Sequence, residues 1–335
     1  MERARFLCAL TLDGASGLRM DELEDISRKV LFIIPTILGA VTLAFLIIHA
    51  APGDPVRTLT GDYDAPPEVV EQLRKQFGLD KPLYVQYVTY IGSVLTGDFG
   101  KSLRTGRDVL AEILRVFPHT LLLALGAVVL AILIGIPLGM ISAVRNNTSV
   151  DHISRILALL GISMPSFWLA LVLLLFFSVY TGWFPLVGAG ELENPKSVLH
   201  HLFLPALALA ARDAAAISRL TRSGVLEILR QDYIVTARAK GLAEKNVIYK
   251  HALRNALIPI VTVISLDLGY TLGGTVVIEA VFSRPGLGSL IIQSIYSRDY
   301  PQLQGAIMFF AFCFLLVNLT TDIVYKIIDP RIDYR

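Results

Sequence analysis

The sequence predicts an all-α integral membrane protein with six transmembrane helices. Three observations carry that prediction. Of the 335 residues, 54% are hydrophobic and only 17% charged, against roughly 45–50% and about 25% in soluble chains. The mean hydropathy is +0.61, and the excess is gathered into long apolar runs. Several runs approach the roughly 20 residues a helix needs to cross the hydrocarbon core. A helix satisfies its own backbone there, whereas an open strand finds no partner in lipid.

The segments run in order along the chain. Residues 1–28 read as a cytoplasmic extension: Arg3 and Arg5 precede an apolar patch, Phe6 to Leu12, that Asp13 interrupts too early for a secretory signal. The first span runs from Val30 to His49. A long segment, Ala50 to Pro118, comes next, and with the first span makes up a unit over 29–118. Within it Pro66-Pro67 and the residues to Phe77 read as a short amphipathic helix ended by Gly78, and Leu83 to Leu95 as a second. The core unit, 119–335, holds the remaining spans: His119–Val144, Ile156–Tyr180 with Pro165 near its start, a shorter Leu202–Ser218, Ile258–Phe282 and Gly305–Ile328. Lys and Arg in the short flanks set orientation. Arg28, Lys29, Arg145, Arg155 and the basic connection 219–258 put both termini and that connection in the cytoplasm, and Ala50–Pro118 outside. Trp168 and Trp183, near span ends, fit an interfacial aromatic belt.

Composition also excludes. A net charge of +2 gives no basic stripe for nucleic acid. Cys8 and Cys313 form neither a disulfide framework nor a metal spacing. The nearest approach to a phosphate-binding loop, Gly97-Asp98-Phe99-Gly100-Lys101-Ser102, has two residues between its glycines where four are needed, and lies on the outer side. No catalytic triad or zinc pattern is present in the sequence. Any ATP use must be done by a partner.

The connection between the fourth and fifth spans is the informative segment. Asp232 to Gly241 (DYIVTARAKG), then Leu242 to Lys250, then His251 to Pro259 (HALRNALIP), read as helix, break, helix. Gly241 supplies the left-handed residue that ends a helix. Ala237 and Gly241, four apart, share a face small enough for another protein to approach closely. Arg238 and Lys240, beside Ala239, sit at the helix end that favours cations.

This loop resembles the EAA loop of ABC importer permeases, in the form typical of the dipeptide/oligopeptide/nickel family. Val235 and Thr236 stand where the general form has Glu and Ala. The resemblance extends over nearly the whole chain from Arg28: Pro52-Gly53-Asp54-Pro55, Gly78-Leu79-Asp80-Lys81-Pro82, Gly97-Asp98-Phe99-Gly100, Pro165-Ser166-Phe167-Trp168, Gly273-Gly274, Pro285-Gly286-Leu287-Gly288, Arg298-Asp299-Tyr300-Pro301 and Asp329-Pro330-Arg331 occur in family order. It implies the type I importer permease fold (MetI-like). It also implies a second, homologous permease, two ATPase subunits that hold the ATP and Mg, and an extracytoplasmic substrate-binding protein. No cofactor is then expected in this chain. The loop residues carried over as the coupling element are Asp232, Tyr233, Ala237, Arg238, Ala239, Lys240, Gly241, His251, Arg254, Asn255 and Pro259. Nickel and oligosaccharides are alternative cargoes in the family. A self-sufficient secondary transporter is the competing class, and predicts internal repeats and broken helices.

Three acids fall in or near spans, where a carboxylate costs roughly 2.5–3.5 kcal/mol on insertion scales. Asp213 is read as pairing with Arg212 or Arg219, or as lining a water-filled path. Asp267 has no obvious basic partner close in sequence, and is read as lining the path or as structural. Glu279 holds the next loop, Ser283 to Tyr300, or faces the path.

Overall fold

The computed structural model describes residues 66–76 and 78–328, with helical positions between 35 and 46. Residues 1–28, most of Val30–His49, Pro52-Gly53-Asp54-Pro55 and Asp329-Pro330-Arg331 lie outside the described residues.

Two short helices, α1 (Pro67–Gln76) and α2 (Leu83–Thr96), lead the described chain. They match the amphipathic segment and the second helix read in the sequence, and Gly78, at φ +66°, closes the first. A turn through Gly97 and Gly100 and an isolated antiparallel bridge, Lys101 to Asp108, lead into α3 (Val109–Val144). The Asp108 carboxylate caps α3 by accepting from Ala111 N at 2.9 Å. Next come α4 (Ser149–Ser163) and α5 (Ser166–Leu173), the latter continuing as a π-helical turn (Leu174–Tyr180). α6 (Pro195–Leu229) is long; α7 (Asp232–Ala239) is short. α8 (Glu244–Asn246) runs through a second π-helical turn (Val247–Leu253) into α9 (Arg254–Val281). α10 (Leu287–Ser297) and α11 (Tyr300–Ile328) complete the order. Among the described residues no strand pairing occurs beyond that one bridge.

Of the six expected spans, the first lies largely outside the described residues and the others differ in extent from the expectation. Val109–Val144 and Tyr300–Thr321 are long and apolar enough to cross a membrane. The third expected span is broken at Met164-Pro165, where α4 and α5 meet at 107°; proline disfavours helical geometry in the residue before it. The fourth is part of a much longer helix, because α6 continues to Leu229. The expected loop Ser283–Tyr300 is largely α10.

The core lies between α3, α6 and α9: Leu123, Ala127 and Ala131 meet Leu209, Ile217 and Ile260, all buried. α3 shows why. Its inward stripe is small, ending in Gly135 and Gly139, while Leu121, Leu125, Val129 and Leu133 repeat every fourth residue on the exposed side. Among the described residues nothing covers that face, and it suits lipid. The glycines let α6 approach closely: a Cβ on Gly139 would lie 2.5 Å from the Ser218 carbonyl oxygen. Gly139→Leu is therefore expected to force α3 and α6 apart and cost about 1–3 kcal/mol or more, read as a lower unfolding temperature in detergent. An unfolding temperature equal to wild type would contradict the close approach.

Candidate coupling element and polar sites

The helix–break–helix read in the sequence is present. Gly241 takes φ +76°, its N–H donates to the Arg238 carbonyl at 2.9 Å, and Leu242 N donates to the Ala237 carbonyl at 3.3 Å. These bonds satisfy carbonyls left over at the end of α7.

The expected small-residue face is divided: Ala237 is turned inward and Gly241 stays exposed. Ala237 is 8% exposed and packs with Ile234 and Val247, with Ile228 and Leu229 behind them. Helical spacing puts Ala237 with Ile234 on one side, and the buried pair anchors α7 to its own chain. The outward side carries Val235, 58% exposed, with Tyr233, Ala239, Lys240, Gly241 and Leu242 also open. This apolar and basic side is what another protein would meet.

Two contacts tie α7 to the chain beyond Gly241. Asn255 Nδ2 donates to Tyr233 Oη at 2.9 Å and to the His251 carbonyl at 3.1 Å. Arg238 grips Glu244 through Nη2 to Oε1 at 2.6 Å and Nε to Oε2 at 3.1 Å. The guanidinium holds the Glu244 carboxyl below its usual range; the pair is exposed, so solvent weakens it. The structure thus joins Tyr233 to Asn255 and His251. Asp232 lies exposed in the first turn of α7, where an acid suits the helix dipole. Arg254 is exposed at the start of α9, and Pro259 falls within that helix.

A buried ion pair at the base of this element carries no mark in the sequence. Asp151 is fully buried. Its carboxylate accepts from Arg222 Nε at 2.7 Å and Nη2 at 2.9 Å, Ser142 Oγ at 2.6 Å and Asn147 N at 2.9 Å. Arg222 Nη2 also donates to Asn146 Oδ1 at 2.9 Å. The end of α3, the start of α4 and the last turns of α6 are fastened together there. Arg222 stands two turns before the chain leaves α6 for α7.

The acids of the long helices separate into two places. Asp213 does not form a contact ion pair with Arg212 or Arg219 among the described residues. Its Oδ2 accepts from Thr271 Oγ1 at 3.0 Å, and that hydroxyl also lies 2.9 Å from the Asp267 carbonyl. Asp213 on α6 thus meets α9 one turn beyond Asp267. Thr271, four residues after Asp267, was the available clue. Glu279 is elsewhere and fully buried. It accepts from Thr120 Oγ1 at 2.6 Å and Ser289 N at 3.0 Å, while Leu287 N donates to Thr120 Oγ1 at 2.7 Å. It holds the first turn of α10 onto α3. Among the described residues Arg284, buried in the turn between, has no hydrogen-bond partner for its guanidinium nitrogens.

Asp299, inside the Arg298-Asp299-Tyr300-Pro301 text, is buried at the start of α11. It accepts from Ser102 Oγ, Leu103 N and Gln302 N, and so ties the turn before α3 to α11.

Residues 135–334 match the family described as "Binding-protein-dependent transport system inner membrane component", and residues 25–124 match the N-terminal region of such membrane components. The chain is 43% identical over 313 residues to the oligopeptide transport system permease protein AppB of Bacillus subtilis (strain 168), covering 92% of this chain and 99% of that one. It is 40% identical over 328 residues to the dipeptide transport system permease protein DppB of Alkalihalophilus pseudofirmus, covering 92% and 98%. With the glutathione transport system permease protein GsiC of Escherichia coli (strain K12) it shares 42% over 313 residues, covering 93% and 100%. Among solved structures, an inward-facing form of the MetNI methionine ABC transporter superimposes with a TM-score of 0.54 at 19% identity, over 66% of this chain and 97% of the other, a likeness of fold. The chain belongs to the family of binding-protein-dependent transport system inner membrane components: it is a permease subunit of an ABC importer.

Proposed function

We propose that the chain forms one half of the path by which an ATP-driven importer takes up di- and oligopeptides. The observation that carries the coupling role is α7. It is a short helix with an open outer side, closed by a left-handed glycine and hydrogen-bonded through Tyr233 and Asn255 to the start of a membrane helix. A push on such an element passes into α9 directly and, through the Arg222–Asp151 pair, into α3 and α4. The peptide cargo is supported by the relatives, whose names specify oligopeptide, dipeptide and glutathione transport.

The assembly proposed has this chain beside a second, homologous permease, with two ATPase subunits on the two coupling elements and the ATP and Mg bound there. Both termini and α7 face the cytoplasm, and α1, α2 and α10 face outward, where a binding protein delivers the peptide. Asp213 and Asp267 line the path, offering negative charge to a peptide's amino group.

The test is purification of the tagged chain in mild detergent, identification of the proteins that co-purify, and uptake by the reconstituted assembly. An ATPase, a second permease and ATP-dependent uptake of labelled di- and tripeptides are expected, with lower uptake in Asp213→Asn/Asp267→Asn. Uptake by the chain alone without ATP would establish a secondary transporter instead. Uptake of nickel or an oligosaccharide, with peptides inert, would replace the cargo.

A further inference from the structure

The turn before α3 and the first turns of α3 carry four cations, Lys101, Arg104, Arg107 and Arg115, and three acids, Asp98, Asp108 and Glu112. The numbers nearly cancel, but the structure does not leave the two signs equally available. Asp98 is turned to its own backbone, accepting from Gly100 N at 2.9 Å. Asp108 is used as the cap of α3. Glu112 is held from both sides, by Arg107 Nη1 at 3.0 Å and Arg115 Nη2 at 2.6 Å, and only 12% of its side chain is exposed while the two arginines stay 65% and 66% exposed. The remaining acids nearby are buried: Asp299 under Ser102 and Leu103, and Glu279, at the floor of the recess beside Tyr296, where it accepts from Thr120 and Ser289 N. The Arg104 side chain forms no hydrogen bond or ion pair with the described residues. The charge this face shows is therefore positive, and two of its guanidinium groups are pre-positioned by one carboxylate.

The face is also concave. Arg104 stands on the wall shared by two clefts, one of about 170 Å³ that includes Arg107 and Arg115, the other of about 380 Å³ that includes Ser283 and Tyr296. Gln293 of α10 borders both. Tyr296, on that same helix, is 84% exposed. Arginine and tyrosine beside pockets are the residue types that carry protein interfaces.

We propose that Arg104, Arg107, Arg115 and Tyr296 form the seat for an acidic surface of the extracytoplasmic binding protein, whose carboxylates enter the clefts on either side of Arg104. This rests on the importer reading given above, and adds to it the place and the charge of the docking contact. A lipid headgroup layer is the other anionic occupant for exposed arginines. The smaller cleft, bordered by Arg104, Arg107 and Arg115, favours a protein, because side chains of a folded partner fill a recess that a flat layer of headgroups passes over. Charges at such a rim act chiefly on the rate of encounter, so the association is salt-dependent.

The experiment uses the assembled transporter in nanodiscs of phosphatidylcholine, with the binding protein recovered by co-purification as the probe. Association rate and Kd are measured at low and high salt. Arg104→Glu and Arg115→Glu are each expected to slow association and weaken Kd by about tenfold at low salt, with a smaller loss at high salt, and Arg104→Lys to retain most of the affinity. Basal ATPase activity of the assembly should not change. Kd values equal to wild type for Arg104→Glu, Arg115→Glu and Tyr296→Ala would overturn the proposal. So would unchanged Kd with weakened attachment of the assembly to phosphatidylglycerol vesicles, which would identify lipid as the occupant. Failure of the importer reading looks different: the wild-type assembly itself then shows no ATPase stimulation by any binding protein.

Discussion

Arg222→Met is expected to destabilise the protein by about 3–5 kcal/mol, the range for removing one partner of a buried ion pair. The Asp151 carboxylate has no exposure to water, and two of its four close donors are nitrogens of Arg222. Ser142, Asn147 and the more distant Arg155, whose Nε lies 3.6 Å away and whose side chain is 46% exposed, compensate that buried negative charge only in part. Because Arg222 keeps 22% of its side chain exposed, the lower half of that range is the better expectation. The effect should appear as a lower unfolding temperature in detergent and a smaller folded yield from membranes. Removing both charges together, as Asp151→Leu/Arg222→Met, should recover much of the loss, since the cost lies in the orphaned charge. A single variant that unfolds at the wild-type temperature would show that the pair does not fasten α3, α4 and α6.

Gly241→Pro is expected to bring ATP-driven uptake to background while the protein remains folded in the membrane. Proline holds φ near −65°, far from the +76° at this position, and it lacks the N–H that donates to Arg238. No heavy atom lies within 4 Å of where a Cβ would stand, so Gly241→Ala has only the backbone penalty, about 1–2 kcal/mol. A series results: Asn, which tolerates the left-handed region, near wild type, Ala intermediate, Pro inactive. The fold should survive because α7 buries little beyond Ile234 and Ala237. Normal uptake by the proline variant, with normal ATPase stimulation, would remove α7 from the coupling path.

Much of the architecture is legible in the sequence, and the failures have physical causes. Hydropathy detects the part of a helix that prefers lipid, not the helix. It places a boundary at Ser218, where the apolar run stops, although the backbone continues to Leu229. It places another at His119, ten residues into α3. The α1 and α2 segments are legible because proline, glycine and amphipathic spacing are local signals. Gly241 is legible for the same reason. The orientation of α7 is not: helical spacing shows which residues share a side, and Ala237 shares one with Ile234, but the inward choice depends on Val247 across a turn. Pairs such as Thr120 with Glu279, or Asp151 with Arg222, are far apart in sequence and belong to different helices. A single sequence carries no mark of such pairings. Adjacency in the chain assigns Asp213 to neighbouring arginines, whereas the structure gives it a hydroxyl from another helix.

The π-helical turn at Val247–Leu253 has a mechanical consequence. It sits between the contact of α7 with Val247 and the long apolar rod of α9. A π turn winds an extra residue into the same circuit of backbone. Converting it to ordinary α geometry would rotate the segment on one side by about 100° relative to the other, the angle one residue subtends at 3.6 per turn. The junction is thus built like a screw thread with one surplus tooth: an axial shove at α7 has a route to become a twist of α9, and a twist would swing Asp267 around the helix axis instead of sliding it along.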